Sequence, residues 1–476
     1  MARLLDLPVE VLPLILTHIL KSHHLTLICL VSHTFLYYAR PLLYKRIFIY
    51  AWHRQGKTKV IQLFTTLARK PELAALVGVL GSRLRALASQ MRDFPKALSV
   101  EEQDRLMDLC ITGLKNCINL RSCTWTRDGS LTTPLLRALL SSSTLQEFSL
   151  NGHYEGHYDP TLLLQFSRLQ KLTIIMPSSD IISLLPAWLG ACSETLKSLS
   201  LICKASPRLT DEILSSAAES LSSLQRLHLA GCTKITHKGI LAVMRVNPSL
   251  VSLGLEGLSP TFDMEELSGH CTSHDLTSLL RSLTLTMPSS GNIDKWFNQV
   301  LSLVKESPLE EFQIYTVGGD LVTGRALSED FVARIVGAHS HRLRKFAVQR
   351  LRTSMQVIGM ICQNCPMLEQ LYVVLEDRNW GALGQCLSTA SNLRMLHINF
   401  PPDTLGEDER PILSESEMLF IAQHCGPRLV QFGASTRVRL VERTAFRDGD
   451  GEIHTGMKLV PYESPEIPEQ FLVQQA

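Results

Sequence analysis

The chain has 476 residues, 45% of them hydrophobic and 19% charged, and its 47 basic and 45 acidic side chains leave a formal net charge of +2. That balance excludes a dominant nucleic-acid or anionic-membrane field, and so apolar a composition excludes a disordered chain. Length alone suggests about three domains of ~150 residues. Leucine accounts for 81 residues, an excess that makes an internal repeat the first thing to look for.

The first fifty residues form a helical pattern of their own. Asp6 can cap a helix and Pro8 can open it. Leu12, Ile15, Leu16 and Ile19 then share one face, and Leu27, Leu30 and Val31 mark a second helix. Asp6 and Glu10 interrupt the apolar stretch, so a secretory signal is not expected. No formal charge falls between Lys21 and Arg40. However, His23, His24, Thr26, Ser32, His33 and Thr34 are too polar for ~20 residues of hydrocarbon, and a buried helix is the expectation. A unit this short with surplus apolar faces expects a partner.

Leu7, Pro8, Glu10, Val11, Leu12, Ile15, Leu16, Leu30, Val31, Ser32 and Phe35 resemble the F-box pattern. The ending Ala39-Arg-Pro-Leu-Leu-Tyr44 is similar to the form common in fungal F-box proteins. The likeness covers residues 4–47, and His23-His24 departs from it, standing where an acidic or basic pair is more usual. Without a partner the same helices would simply cap the first repeat.

Ala51-Trp-His-Arg-Gln-Gly-Lys-Thr58 fits a relaxed phosphate-loop pattern. Ala51 replaces the first glycine, though, and Trp52, His53 and Arg54 would crowd backbone amides that must wrap a phosphate. An irregular turn between strand-like Arg46–Tyr50 and a helix over Val60–Arg69 is the better reading.

From residue 120 one pattern recurs: Leu, two residues, an apolar residue, one residue, an apolar residue. It begins at Leu120, Leu145, Leu169, Leu196, Leu224, Leu250, Leu280, Leu309, Leu343, Leu368, Leu393 and Leu429. The gaps are 25, 24, 27, 28, 26, 30, 29, 34, 25, 25 and 36 residues. Eight of the eleven lie in the range of roughly 20–29 residues typical of leucine-rich repeats. Each string predicts a short strand with two side chains inward, followed by a helical return such as Asp211–Ser222 or Gly239–Asn247. One unit cannot bury its own apolar face, so neighbours must stack. Leu224 through Ile240 resembles the cysteine-containing repeat subtype, matching at Cys232, Ile235, Thr236, Gly239 and Ile240, with His237 where an acidic residue is usual. That assigns Cys232 to filling the turn.

The remaining chemistry is sparse. The twelve cysteines are dilute and mostly in apolar runs, which reads as reduced, buried thiols. Cys362-Gln-Asn-Cys365 lacks a second pair for zinc. Asp448-Gly-Asp-Gly-Glu452 lacks the spacing of a calcium loop and reads as a hairpin tip between Val438–Phe446 and Ile453–Val460. The sixteen histidines form neither HExxH nor an evident nucleophile constellation, so no enzyme, cofactor or metal is expected.

On the strand face opposite the inward pair, the charged residues are Glu147, Lys171, Arg226, Glu256, Glu311 and Lys345. Three charges against three do not make the basic stripe a nucleic acid requires. His228, Tyr315, Tyr372, Met395 and His397 share that face and are the candidate target-binding anchors. The three long gaps predict inserted loops at Ser259–His274, Thr316–His341 and Phe400–Pro427. After Ser435 a hairpin and Pro461, Pro465 and Pro468 would cover the last repeat.

The expected fold is α/β: an all-helical module over residues 1–48, a leucine-rich-repeat solenoid over 49–436 with a curved parallel sheet inside and helices outside, and a cap over 437–476. The F-box resemblance implies the substrate-recognition subunit of an SCF-type cullin–RING ubiquitin ligase acting in cytoplasm or nucleus. It would dock on the Skp-family adaptor through Leu7, Pro8, Val11, Leu12, Ile15, Leu16, Leu30, Val31 and Phe35, and hold a target protein on the repeats. The alternatives are an interaction scaffold outside ubiquitin chemistry and a nucleotide-dependent enzyme resting on Gly56-Lys57-Thr58.

Overall fold

The computed structural model describes residues 8, 10–19, 21–50, 56–83, 99–127, 129–153, 155–288, 291–316, 326–401, 413–447 and 452–462. Three short helices come first: α1 (Val11–Thr17), α2 (Ser22–Cys29) and α3 (His33–Lys45). The Ser32 hydroxyl caps α3 by accepting from the Phe35 N–H. Leu12, Leu16, Leu25, Phe35 and Ala39 form a small shared core, with Ile19, Ile28, Tyr38, Leu42 and Leu43 packed around it.

By its contacts the chain forms two units, one ending at Leu224 and the other beginning at Gln225. In the first unit, α3 runs directly into β1 (Arg46–Tyr50). Strands β2 (Val79–Arg83), β3 (Ser122–Trp125), β4 (Glu147–Asn151), β5 (Lys171–Ile175) and β6 (Ser198–Thr210) follow. They pair in chain order and all in parallel. The returns between them are α4 (Gly56–Arg69), α5 (Pro71–Ala74), α6 (Val100–Asn116), α7 (Thr133–Leu140), a 3-10 segment (Pro160–Gln165) and α8 (Ser179–Ala191); α9 (Asp211–Ala218) follows β6. Parallel pairing needs such long crossovers.

The second unit continues the rule. Strands β7 (Arg226–Lys234), β8 (Ser252–Glu256), β9 (Ser282–Met287), β10 (Glu311–Thr316), β11 (Lys345–Thr353), β12 (Gln370–Leu375), β13 (Met395–Asn399) and β14 (Gln431–Ala434) run parallel in chain order. Their returns are α10 (His237–Val246), α11 (Met264–Ser273), α12 (Ile293–Val304), α13 (Glu329–His339), α14 (Met355–Asn364), α15 (Trp380–Ser388) and α16 (Glu415–His424). Then the direction reverses: β15 (Arg437–Arg447) pairs antiparallel with β14, and β16 (Ile453–Pro461) pairs antiparallel with β15.

This is an α/β leucine-rich-repeat fold, and the sequence pattern explains twelve of its strands. A strand starts two residues after each of the twelve leading leucines, and all twelve leucines are buried. The strand's apolar pair faces the helices: the Phe312 ring of β10 lies 5.8 Å from Phe331 of α13 and 5.9 Å from Phe346 of β11. The backbone ties repeat to repeat. The Gln146 and Glu147 N–H groups both donate to the Arg121 carbonyl, and those of Gln170 and Lys171 to the Gln146 carbonyl. The same forked bond recurs down to Val430 and Gln431 on the Arg394 carbonyl. A single repeat would leave these groups unsatisfied, which is why the repeats must stack. Helix starts are capped from the sequence as well, by Ser99 with Glu102, Thr236, Asp263, Asn292, Ser328, Ser354 and Ser414 with Glu417.

The structure adds a repeat at β2, which escapes the search because Val77 holds the leading place and is fully buried. The strand β1 also begins before residue 48, so the helical module and the repeats join without a linker. None of the three long gaps is a simple insertion. Ser259–His274 carries the return helix α11, Thr316–His341 carries α13 with residues 317–325 outside the described set, and Phe400–Pro427 carries α16 with residues 402–412 outside it. Among the described residues no helix is long and apolar enough to cross a membrane.

Candidate functional site

The helical module keeps part of its apolar surface outside. Eleven large hydrophobic side chains are exposed among the described residues, and six of them lie in this module: Leu14, Ile15, Leu27, Leu30, Val31 and Tyr37. Leu30 is 79% exposed and Val31 66%. Three helices of two to four turns can close only one small core, and the rest of their apolar residues face solvent.

The sequence-derived docking set therefore divides. Pro8, Ile15, Leu30 and Val31 are exposed and Val11 is half-buried, whereas Leu7 lies outside the described residues. Leu12, Leu16 and Phe35 need correction: they are 3–6% exposed and form the module's own core. At helical spacing the inner and outer faces are both apolar, so periodicity alone could not separate them. Leu14, Leu27 and Tyr37 were missed for the same reason.

On the sheet face away from the helices, large side chains lie down instead of standing up. His228 of β7 pairs in register with Gly254 of β8, and a Cβ at Gly254 would collide with the imidazole ring. Its Nε2 is 2.8 Å from Glu256 Oε1, and its side chain stays 34% exposed. Glu256 itself is buried, with its second oxygen accepting from the Tyr315 hydroxyl. Burial, and then the Glu256 charge, pushes the Tyr315 phenol well above its ordinary value. His397 of β13 likewise lies across Gly433 of β14. Its Nε2 is 3.2 Å from Asn399 Oδ1, and burial lowers its pKa to about 4. The Tyr372 hydroxyl donates to Gln370 Oε1 at 3.1 Å, and Lys345 Nζ sits 5.6 Å from the Tyr372 ring centre.

Tyr315, Tyr372 and His397 are therefore corrected as exposed anchors, since each is at most 4% exposed. Their rings fill space above neighbouring strands, and the Tyr315 hydroxyl, the Tyr372 hydroxyl and His397 Nε2 each find a partner within the sheet. His228 and Met395 keep partial exposure. The charge count contracts in the same way. Glu256 and Lys345 are buried, leaving Glu147, Lys171, Arg226 and Glu311 exposed. Ser122 and Ser282 hydroxyls hold Glu147 and Glu311 at 2.9 Å.

The remaining motifs fall into the fold. Gly56 opens α4, and residues 51–55 lie outside the described set. Cys362 and Cys365 end α14, both buried, and Cys232 is fully buried after Gly231, whose φ of 66° makes the turn. All twelve cysteines are free thiols. Burial pushes Cys110, Cys117, Cys123, Cys271, Cys365 and Cys425 up to about 12. Among the described residues no group of three or more His, Cys, Asp or Glu side chains is arranged to hold a metal ion.

What this arrangement defines is a repeat scaffold with two open faces, one apolar on the helices and one polar on the sheet. No protein-family model and no curated protein matches the chain in sequence. Solved structures do resemble it. The yeast Rad7–Elc1 complex structure matches with a TM-score of 0.48 and 14% identity over 81% of this chain and 95% of the other. The TLR13–ssRNA13 complex matches with a TM-score of 0.34 and 16% identity over 68% of this chain and 44% of the other. The leucine-rich-repeat protein LegL7 from Legionella pneumophila matches with a TM-score of 0.33 and 12% identity over 70% and 85%.

Proposed function

We propose that this chain is the target-recognition subunit of an SCF-type cullin–RING ubiquitin ligase. The observation that carries the reading is the exposed apolar set on α1–α3, with Leu30 and Val31 at its most open point. The module has its own core, so those side chains are not needed for folding, and burying them against another protein is favourable. They lie in the segment whose residues resemble an F-box, which supports a Skp-family adaptor as the docking partner. The repeats then hold a target protein on a rigid frame. Ubiquitin transfer follows from proximity: the assembly holds a target lysine near a charged conjugating enzyme and raises its effective concentration. In this reading the chain supplies no catalytic residue, metal or cofactor, and it works in cytoplasm or nucleus, where its free thiols stay reduced.

The test is co-expression with a Skp-family adaptor. Leu30→Asp with Val31→Asp abolishes co-purification while the melting temperature stays unchanged. Undiminished co-purification of the double variant overturns the proposal.

A further inference from the structure

Imidazoles border the exposed apolar face of α1–α3. His18, His23, His24 and His33 are all exposed, so four of the chain's sixteen histidines lie on this one module. Residues three or four apart on a helix are surface neighbours, with Cβ atoms roughly 5–6 Å apart. His18, which closes α1, is therefore next to Leu14 and Ile15. His23 and His24, the pair that departs from the F-box-like pattern, lie in the first turn of α2 beside Leu27, with ring centres 6.1 Å apart. His33 opens α3, two residues after Val31 and one turn before Tyr37. Each helix thus sets an imidazole against its own exposed apolar side chain.

The module offers little to balance a charge on these rings. Residues 1–48 hold five basic side chains, Arg3, Lys21, Arg40, Lys45 and Arg46, against two acidic ones, Asp6 and Glu10. Among the described residues of the module, Glu10 before α1 is the one carboxylate. Helices α1 and α2 both pack on α3. That helix brings Tyr37, Tyr38, Arg40, Tyr44 and Lys45 to the group, α2 brings Lys21 and Cys29, and Arg46 follows at the start of β1. Burial pushes the Cys29 thiol up, so it stays uncharged. Apart from the contact between the His23 and His24 rings, none of the four imidazoles has a hydrogen bond or ion pair among the described residues.

We propose that adaptor docking on α1–α3 is proton-controlled: the face docks with His18, His23, His24 and His33 neutral and lets go as they gain charge. This rests on the reading of that face as the adaptor's docking site. The cause is desolvation. A partner that covers Leu14, Ile15, Leu27, Leu30 and Val31 also draws water from the rings one turn away. A neutral imidazole tolerates that loss, whereas a cation gives up hydration and meets further positive charge. Histidine is the side chain whose charge changes between pH 5 and 8. The docked state therefore binds fewer protons than the free one, and affinity falls as the pH falls.

The experiment is isothermal titration of the full chain with a purified Skp-family adaptor at pH 8.0 and at pH 6.0. The Kd is weaker at pH 6.0 by roughly fivefold or more. Titration at pH 7 in two buffers of different ionisation enthalpy shows protons released on docking. In the variant carrying His18→Gln, His23→Gln, His24→Gln and His33→Gln, the two Kd values agree within twofold and the proton release disappears. His23→Gln with His24→Gln alone gives an intermediate ratio. All four side chains are exposed, and melting curves at both pH values check that each variant is folded. The buried His339 and His397 remain in these variants, so a pH effect that survives in the fourfold variant arises elsewhere and overturns the proposal. An equal or tighter parental Kd at pH 6.0 overturns it too. Docking without pH dependence refutes the proton control alone, whereas no docking at pH 8.0 refutes the docking reading and this proposal with it.

Discussion

Replacing Leu30 by Ala separates docking from folding. The Leu30 side chain is 79% exposed, so the isolated fold gains little from it. Fully burying a leucine is worth about 2 kcal/mol, and about four-fifths of that is still available when a partner covers the site. At 1.4 kcal/mol per decade, the loss corresponds to roughly a tenfold weaker Kd. Leu16, one of the module's core residues at 3% exposure, provides the contrast. Leu16→Ala removes about 2–5 kcal/mol from a core of only five buried residues. Isothermal titration of a purified Skp-family adaptor measures the first effect and differential scanning calorimetry the second. Leu30→Ala weakens binding about tenfold at constant melting temperature, and Leu16→Ala lowers the melting temperature of the module. An affinity within twofold of the parent, or a melting loss in Leu30→Ala equal to that in Leu16→Ala, refutes the reasoning.

Three further outcomes follow from the second unit and from the thiols of the whole chain. Gly433→Ala places a methyl group into the His397 ring and destabilises the fold by about 1–3 kcal/mol, read as a lower urea midpoint; an unchanged midpoint would show that the ring moves freely. His397 and His339 are held neutral, with pKa values lowered to about 4 chiefly by burial. The unfolded chain binds their protons below about 6.5, so stability falls as pH drops from 6.5 towards 4 and is level above 7. For His397 this is on the order of 3 kcal/mol by pH 4, and His397→Gln reduces the slope; an identical slope in the variant contradicts the assignment. At pH 8 a thiol reagent modifies Cys29 and Cys386, which are half-buried, well before the ten buried cysteines. Equal rates for all twelve would show that the repeats open freely.

The repeat was legible because it obeys short-range rules. A leading leucine, alternating apolar positions and a capped helix return are each written within about 25 residues, and twelve strands begin where that pattern places them. Where a residue departs from the pattern the reading slips: Val77 in the leucine position hid β2, and α11 inside Ser259–His274 made a return helix look like an inserted loop. The sequence by itself thus determined the stacking direction and the side chains that face the helices, because those follow from period and hydrophobicity. Only the tertiary structure decided what the other faces present. In α1–α3 both faces are apolar, and packing chose Leu12, Leu16 and Phe35 for the core and left Leu30 and Val31 outside. On the sheet, Gly254 and Gly433 let His228 and His397 lie flat, and Tyr315 reaches across β9 to a carboxylate 59 residues away in the chain. Such contacts depend on which strands become neighbours and on the space between them, and neither is written in any local pattern.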